Sequence, residues 1–118
     1  MSSFVKCFDV VSMAVGEASA QFAPSWKVDS EKYQILKQYC TAIDALSSEF
    51  DGESFEVEVD DAQMTIGIKM SCPGMLIKNK THVYYSLAQR AISFGFSAAD
   101  NGNVAVEFVF PSVWEKAV

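Results

Sequence analysis

The sequence contains few of the residues on which metal, redox and nucleic-acid chemistry depend. It has one histidine, and its three cysteines form neither a CxxC pair nor a zinc-like spacing. Asp and Glu number 15 against 9 Lys and Arg, a formal net charge of -6. Such a balance argues against binding to the phosphates of nucleic acid or to an anionic membrane. We predict no cofactor, no metal, no nucleic-acid partner and no membrane association.

The cysteines also indicate the cellular compartment of the protein. Cys7, Cys40 and Cys72 are an odd set, so free thiols in a reducing, cytoplasmic environment are the simplest interpretation and one disulfide is the alternative. No apolar run approaches the roughly 20 residues that span a bilayer. A signal peptide ending near Ala20 is disfavoured, because Asp9 interrupts the apolar stretch before it.

Two segments carry the apolar period of amphipathic helices. The first covers residues 4–22, where β-branched residues leave a strand as the alternative, and Pro24 ends it in either case. The second follows a cap at Asp29 or Ser30 and runs to about Ser48. Its expected buried stripe comprises Ile35, Leu36, Tyr39, Cys40, Ile43, Leu46 and Phe50.

A β-hairpin is expected after the second helix. From residue 55 the side chains alternate between apolar and acidic, which is typical of a strand with one face in water. If Asp60-Asp61 forms a two-residue turn, Val59 lies opposite Ala62 and each inward residue meets another inward residue. The acidic side chains then point away from the core.

A short third strand at Met75–Ile77 and a third helix capped by Asn79 or Thr81 are predicted next. They lead to a second hairpin. A three-residue loop at Asp100–Gly102 keeps its inward residues opposite each other, whereas a two-residue Asn-Gly loop would set a phenylalanine against a glutamate. Gly102 would supply the left-handed backbone that this loop needs.

The last strand of this hairpin is apolar on both faces except at Glu107, so it is either central in its sheet or covered by another chain. The elements together predict one α+β domain over residues 1–118, with an antiparallel sheet of four to five strands in two β-hairpins and two to three helices on one face. From the second helix onward this order resembles that of the type III secretion chaperone-like domains. The resemblance implies a small, acidic domain that is usually dimeric.

The charges are unevenly distributed along the chain. The segment from Glu49 to Asp61 carries seven carboxylates and no Lys or Arg, and no acidic residue follows until Asp100. Carboxylates on an outward strand face keep a sheet soluble and prevent edge-to-edge pairing. Alternatively they form a docking face for a basic partner or for a second copy of the chain. The candidate residues of this face are Glu53, Glu56, Glu58, Asp60 and Asp61.

The two tryptophans, Trp26 and Trp114, lie outside the periodic segments. They either cover the core or anchor an interface, because Trp is enriched at binding hot spots. With the acidic strand face, they favour a non-enzymatic protein-binding module, expected to be a homodimer, over an enzyme.

The alternative hypothesis is a small-molecule or nucleotide-binding site, conceivably that of an enzyme, in the region from Cys72 to Arg90. It combines a possible cysteine nucleophile, its base His82, and two lysines that precede a helix N-terminus able to hold a phosphate. No glycine-rich phosphate-binding motif supports it. The residues assigned to it are Cys72, Lys78, Lys80, His82 and Arg90.

Overall fold

The computed structural model describes residues 6–47, 55–73, 81–98 and 102–117. The predicted third strand at Met75–Ile77 lies outside them. Within the described residues, three helices and six strands confirm the α+β class. The helices are α1 (Cys7–Phe22), α2 (Ser30–Ser47) and α3 (Thr81–Arg90). The strands are β1 (Trp26–Val28), β2 (Phe55–Asp60), β3 (Thr65–Pro73), β4 (Ser93–Ala98), β5 (Asn103–Phe110) and β6 (Trp114–Lys116).

Four strands form an antiparallel sheet in the order β2-β3-β5-β4, and β1 pairs with β6 in a separate two-stranded sheet. Strand β5 therefore has a neighbour on each side, and the prediction that its two apolar faces reflect a central position is confirmed. The helices pack on one face of the larger sheet, where Tyr39 of α2 stacks on Phe110. No helix in the described ranges is long and apolar enough to cross a membrane.

The core between the helices and the sheet draws on every element of these two layers. Its fully buried members include residues of α1, α2, α3 and the two central strands. The largest are Trp114, Tyr84, Phe108, Phe110, Ile43, Ile66, Ile68 and Met70.

The first hairpin has the predicted parity but another register. Val59 pairs with Ile66 instead of Ala62, so the two-residue turn is wrong and a four-residue loop replaces it. The Asp60 carboxylate accepts hydrogen bonds from the backbone amides two and three residues later, at 3.0 and 3.1 Å. Met64 then adopts a left-handed backbone with φ 57°. Because the shift is an even number of residues, the acidic side chains still face outward.

The second hairpin forms as predicted. Ala98 pairs with Val104 and Phe94 with Phe108. Gly102 has φ 76°, the left-handed conformation in which a side chain is strained.

Residues 7–22 are helical, so the helix interpretation of the first segment is confirmed and the strand alternative is excluded. Val11, Val15 and Ala18 are buried at helical spacing. The helix ends immediately before Ala23-Pro24, as expected from the missing proline amide.

Helix α2 starts at the predicted cap. The Asp29 carboxylate accepts hydrogen bonds from the amides of Glu31 and Lys32, at 2.9 and 3.3 Å. Both bonds lower the pKa of Asp29, and the bond from Lys32 has the larger effect. The prediction that Ile35 is buried is wrong, since 41% of it is exposed. It lines an apolar groove of about 440 Å³ beside Pro111 instead.

The two-stranded sheet was not predicted, because strands of three residues are too short to show a period. In this sheet Val28 pairs with Trp114. Only 2% of Trp114 is exposed. Its position in the core corrects the expectation that it anchors an interface, and the alternative, that it covers the core, is the one observed.

Candidate binding surface on the sheet edges and outer face

One edge of the four-stranded sheet is acidic. Strand β2 pairs only with β3 among the described residues, and the side chains of Glu56, Glu58 and Asp60 are all exposed on it. Asp61 follows in the exposed loop, and Glu53 lies outside the described residues. The predicted outward orientation of these carboxylates is confirmed. Charges on an edge strand obstruct pairing with another strand.

The outer face of the sheet, opposite the helices, carries one cation between acids. Lys69 of β3 lies in register between Glu56 of β2 and Glu107 of β5. Among the described side chains, an ion pair within 4.0 Å forms only between Lys27 and Glu115, at 3.7 Å. Lys69 therefore forms no ion pair within this distance with either of these two neighbours.

The centre of this outer face is recessed, because the residues there have small side chains or none. Gly67 is flanked in register by Glu58 on one side and Val109 on the other, and Gly95 lies beside Glu107. An open depression of about 670 Å³ results, with carboxylates on its β2 side and the half-buried Val109 on the other. Its chemistry suits a segment with basic and small apolar side chains, since opposed charges attract.

The opposite edge of the sheet is formed by β4 and is uncharged. Strand β4 contains no charged residue and no proline, pairs only with β5 in the described part of the chain, and is exposed at every position except Phe94. Two large apolar side chains are exposed in and beside it: the exposed fractions are 49% for Phe96 and 60% for Ile92, which precedes the strand. This edge lacks the charges that protect β2.

A chain of aromatic contacts connects the β4 edge to the core. Phe96 contacts Tyr84 of α3 edge-on, with ring centroids 6.2 Å apart, and Phe94 at 4.7 Å. Phe94 contacts Phe108 at 5.0 Å, and Phe108 stacks near Phe110 at 5.8 Å. Each such pair adds about 0.5–1.5 kcal/mol beyond area burial. The ring of Phe96 is thus exposed to solvent on one side and packed against Tyr84 and Phe94 on the other.

The expected exposed apolar surface was assigned to the two tryptophans, and the structure places it elsewhere. Trp26 is half-buried in β1, with the Lys116 ammonium 6.0 Å from its ring centroid. The exposed apolar side chains beside the β4 edge are Phe96 and Ile92. The absence of any charge in residues 91–98 was the sequence signal that could have located it.

The residues of the alternative ligand site are not brought together by any described contact. His82 and Arg90 are both exposed on α3, and their eight-residue separation corresponds to about 12 Å along the helix axis. Arg90 donates from Nη1 to Ser86 Oγ at 3.0 Å. The backbone of Cys72 pairs with Val104, and Lys78 and Lys80 lie outside the described residues.

Comparison with known proteins does not assign this surface. No known family matches the chain, and neither the functionally characterised proteins nor the solved structures yield a match. The resemblance in element order to the type III secretion chaperone-like domains therefore stays a prediction.

Proposed function

We propose that this chain is a non-enzymatic protein-binding module that forms a homodimer through the edge of β4. The observation that carries the proposal is the contrast between the two edges of one sheet. Three exposed carboxylates protect β2, whereas β4 exposes uncharged backbone beside Phe96. Proteins protect sheet edges by charge, proline or cover. Because β4 has neither charge nor proline, we propose that a second copy of the chain covers this edge.

The symmetry of such a dimer follows from the strand direction. A two-fold axis normal to the sheet pairs β4 antiparallel with β4 of the second copy, so that the same residues contribute from both sides. The two sheets then form one continuous sheet of eight strands. Phe96, on the helix side of the strand, would be covered at this junction, which explains an aromatic ring with 49% exposure.

The acidic outer face forms the second part of the proposal. A dimer of this symmetry places both outer faces on the same side of the continuous sheet. Each contributes the carboxylates of Glu56, Glu58, Asp60 and Glu107 against one ammonium group, that of Lys69. A second copy of this face would bring like charges together, so a basic protein segment is the partner that we propose for it. A reducing, cytoplasmic environment completes the proposal, because Cys7 and Cys40 are free thiols.

Hydrogen exchange measured as a function of protein concentration tests the dimer. The same sheet supplies the control, because β2 is an edge that the proposal leaves open. Between about 1 µM and about 100 µM, exchange of the β4 amides should slow as the dimer forms. Exchange in β2 should not change. Equal exchange in β4 at all concentrations, or equal slowing in both edges, would contradict the proposal.

A further inference from the structure

Two of the three cysteines meet between α1 and α2, away from the proposed binding surface. Cys7 is the first residue of α1 and Cys40 lies in α2, and both are fully buried in the core. The backbone amide of Cys7 donates a hydrogen bond of 2.6 Å to Asp44 Oδ1. Asp44 lies one helical turn after Cys40, on the same face of α2. The start of α1 is therefore fixed against this face, and Cys7 and Cys40 belong to the same buried core cluster.

We infer that Cys7 and Cys40 are a site of reversible disulfide formation that joins α1 to α2. The hydrogen bond from the Cys7 amide to Asp44 holds Cys7 beside the face of α2 that carries Cys40, one helical turn before Asp44. Cys7 and Cys40 are 33 positions apart in the chain, so the bond closes a loop that includes β1 and most of α2. The inference is independent of the proposed dimer.

The oxidant is a low-molecular-weight disulfide. One cysteine thiolate attacks a sulfur of this reagent and displaces the first reagent thiolate, which leaves a mixed disulfide on the protein. The other cysteine then attacks the protein sulfur of that mixed disulfide and displaces the second reagent thiolate. The two protein thiols lose two protons and two electrons, and the reagent is reduced to two thiols.

The surroundings of Cys7 determine how this site reacts. The neighbouring Cys40 thiol and burial both raise the pKa of the Cys7 thiol. The closed protein therefore holds little of the reactive thiolate. Cys7 is the first residue of α1, so its thiol becomes accessible only when the first turn opens and the hydrogen bond to Asp44 breaks. Oxidation should be slow, and the mixed disulfide should be resolved by Cys40 as soon as the turn closes.

The test uses the folded full chain with Cys72→Ser, which removes the third thiol. Incubation with glutathione disulfide should lower the mass by about 2 Da. Peptide mapping should then find Cys7 linked to Cys40. The oxidised form should unfold at a temperature about 10 °C higher than the reduced form. Dithiothreitol should reverse both changes.

Further Cys7→Ser and Cys40→Ser variants, each in the Cys72→Ser background, are the controls. They should show no loss of mass and no increase in unfolding temperature under the same treatment. Stable glutathione adducts on the two-cysteine protein, without the linked peptides, would overturn the inference. So would two thiols that remain reduced in the folded protein but become linked when the chain is oxidised in denaturant.

Discussion

The indole nitrogen of Trp114 donates a hydrogen bond of 2.9 Å to Ser19 Oγ, across a separation of 95 positions in the chain. Ser19 Oγ in turn donates to Val15 O at 2.6 Å. The ring of Trp114 contacts Phe22 edge-on at 5.0 Å. The two-stranded sheet is thereby attached to α1, although neither of its strands shows a period in the sequence.

Removal of the acceptor at Ser19 tests this attachment. Ser19→Ala leaves a buried indole donor without its partner and should cost about 1–3 kcal/mol of unfolding free energy. In a Trp114→Phe background the same substitution should cost less, because the donor is then absent. Urea unfolding of the four proteins measures the difference. Ser12→Ala on the same helix is the control and should change stability little, since the exposed Ser12 Oγ donates to the carbonyl of Asp9 in its own helix. Equal costs of Ser19→Ala in both backgrounds would contradict the attachment.

The pKa of Asp44 predicts a dependence of stability on pH. Burial raises this pKa above its usual value, against the opposing effect of the hydrogen bond from Cys7. A carboxyl group with a raised folded-state pKa stabilises the fold below its unfolded pKa, and this contribution is lost as the pH rises through the folded pKa. Asp44→Asn keeps an oxygen acceptor but does not titrate. It should therefore gain stability relative to the unsubstituted protein between about pH 3 and about pH 7.

Asp44→Ala separates the hydrogen bond from the charge. It removes the acceptor and should be less stable than Asp44→Asn by about 1 kcal/mol at both pH values. Chemical denaturation at the two pH values gives both comparisons. A stability difference between the unsubstituted protein and Asp44→Asn that does not vary with pH would contradict the effect of burial on Asp44.

Two glycines should respond to alanine with opposite sign. Gly16 lies inside α1, and a Cβ there meets no atom within 4 Å. Gly16→Ala should therefore increase stability by about 0.5–1 kcal/mol, through helix propensity. Gly102 has φ 76°, so Gly102→Ala should decrease stability by about 1 kcal/mol through backbone strain. Thermal unfolding of the two variants checks both signs. A gain at Gly102 would show that the loop does not need the left-handed backbone.

The proposed acidic docking face predicts a salt-sensitive interaction with basic peptides. A lysine- and glycine-containing peptide should bind the protein at low salt and dissociate at high salt. Glu56→Lys with Glu58→Lys should weaken this binding at least tenfold. Asp9→Lys with Glu31→Lys makes the same change of charge on exposed helical positions and should weaken it less. Isothermal titration of the three proteins measures the affinities. Equal losses in both double variants would show a general effect of net charge and would contradict a defined face.

The sequence predicts local features of this fold better than contacts between distant segments. The alternation from Phe55 predicts the outward acids, and the three-residue loop at Asp100–Gly102 predicts the register of the second hairpin, because both depend on neighbouring residues. The first turn was missed because the Asp60 carboxylate and the left-handed Met64 support a longer loop.

The candidate site was predicted only in part, for a related reason. Whether a strand is at an edge depends on the order of strands in the sheet, which the local pattern does not contain. The exposure of Phe96 and Ile92 follows from that order. The acidic side chains were found because charge in a strand indicates exposure wherever the strand lies.

The molar mass of the protein in solution tests the central claim, that β4 is a dimer interface, most directly. Light scattering should give about twice 13.0 kDa for the unsubstituted chain. Ser97→Lys, which places a charge on the β4 edge, should give 13.0 kDa with an unchanged circular dichroism spectrum. Gln63→Lys adds the same charge in the exposed β2–β3 loop and should remain dimeric. A monomeric unsubstituted chain at all concentrations, or a dimer that survives Ser97→Lys, would contradict the account.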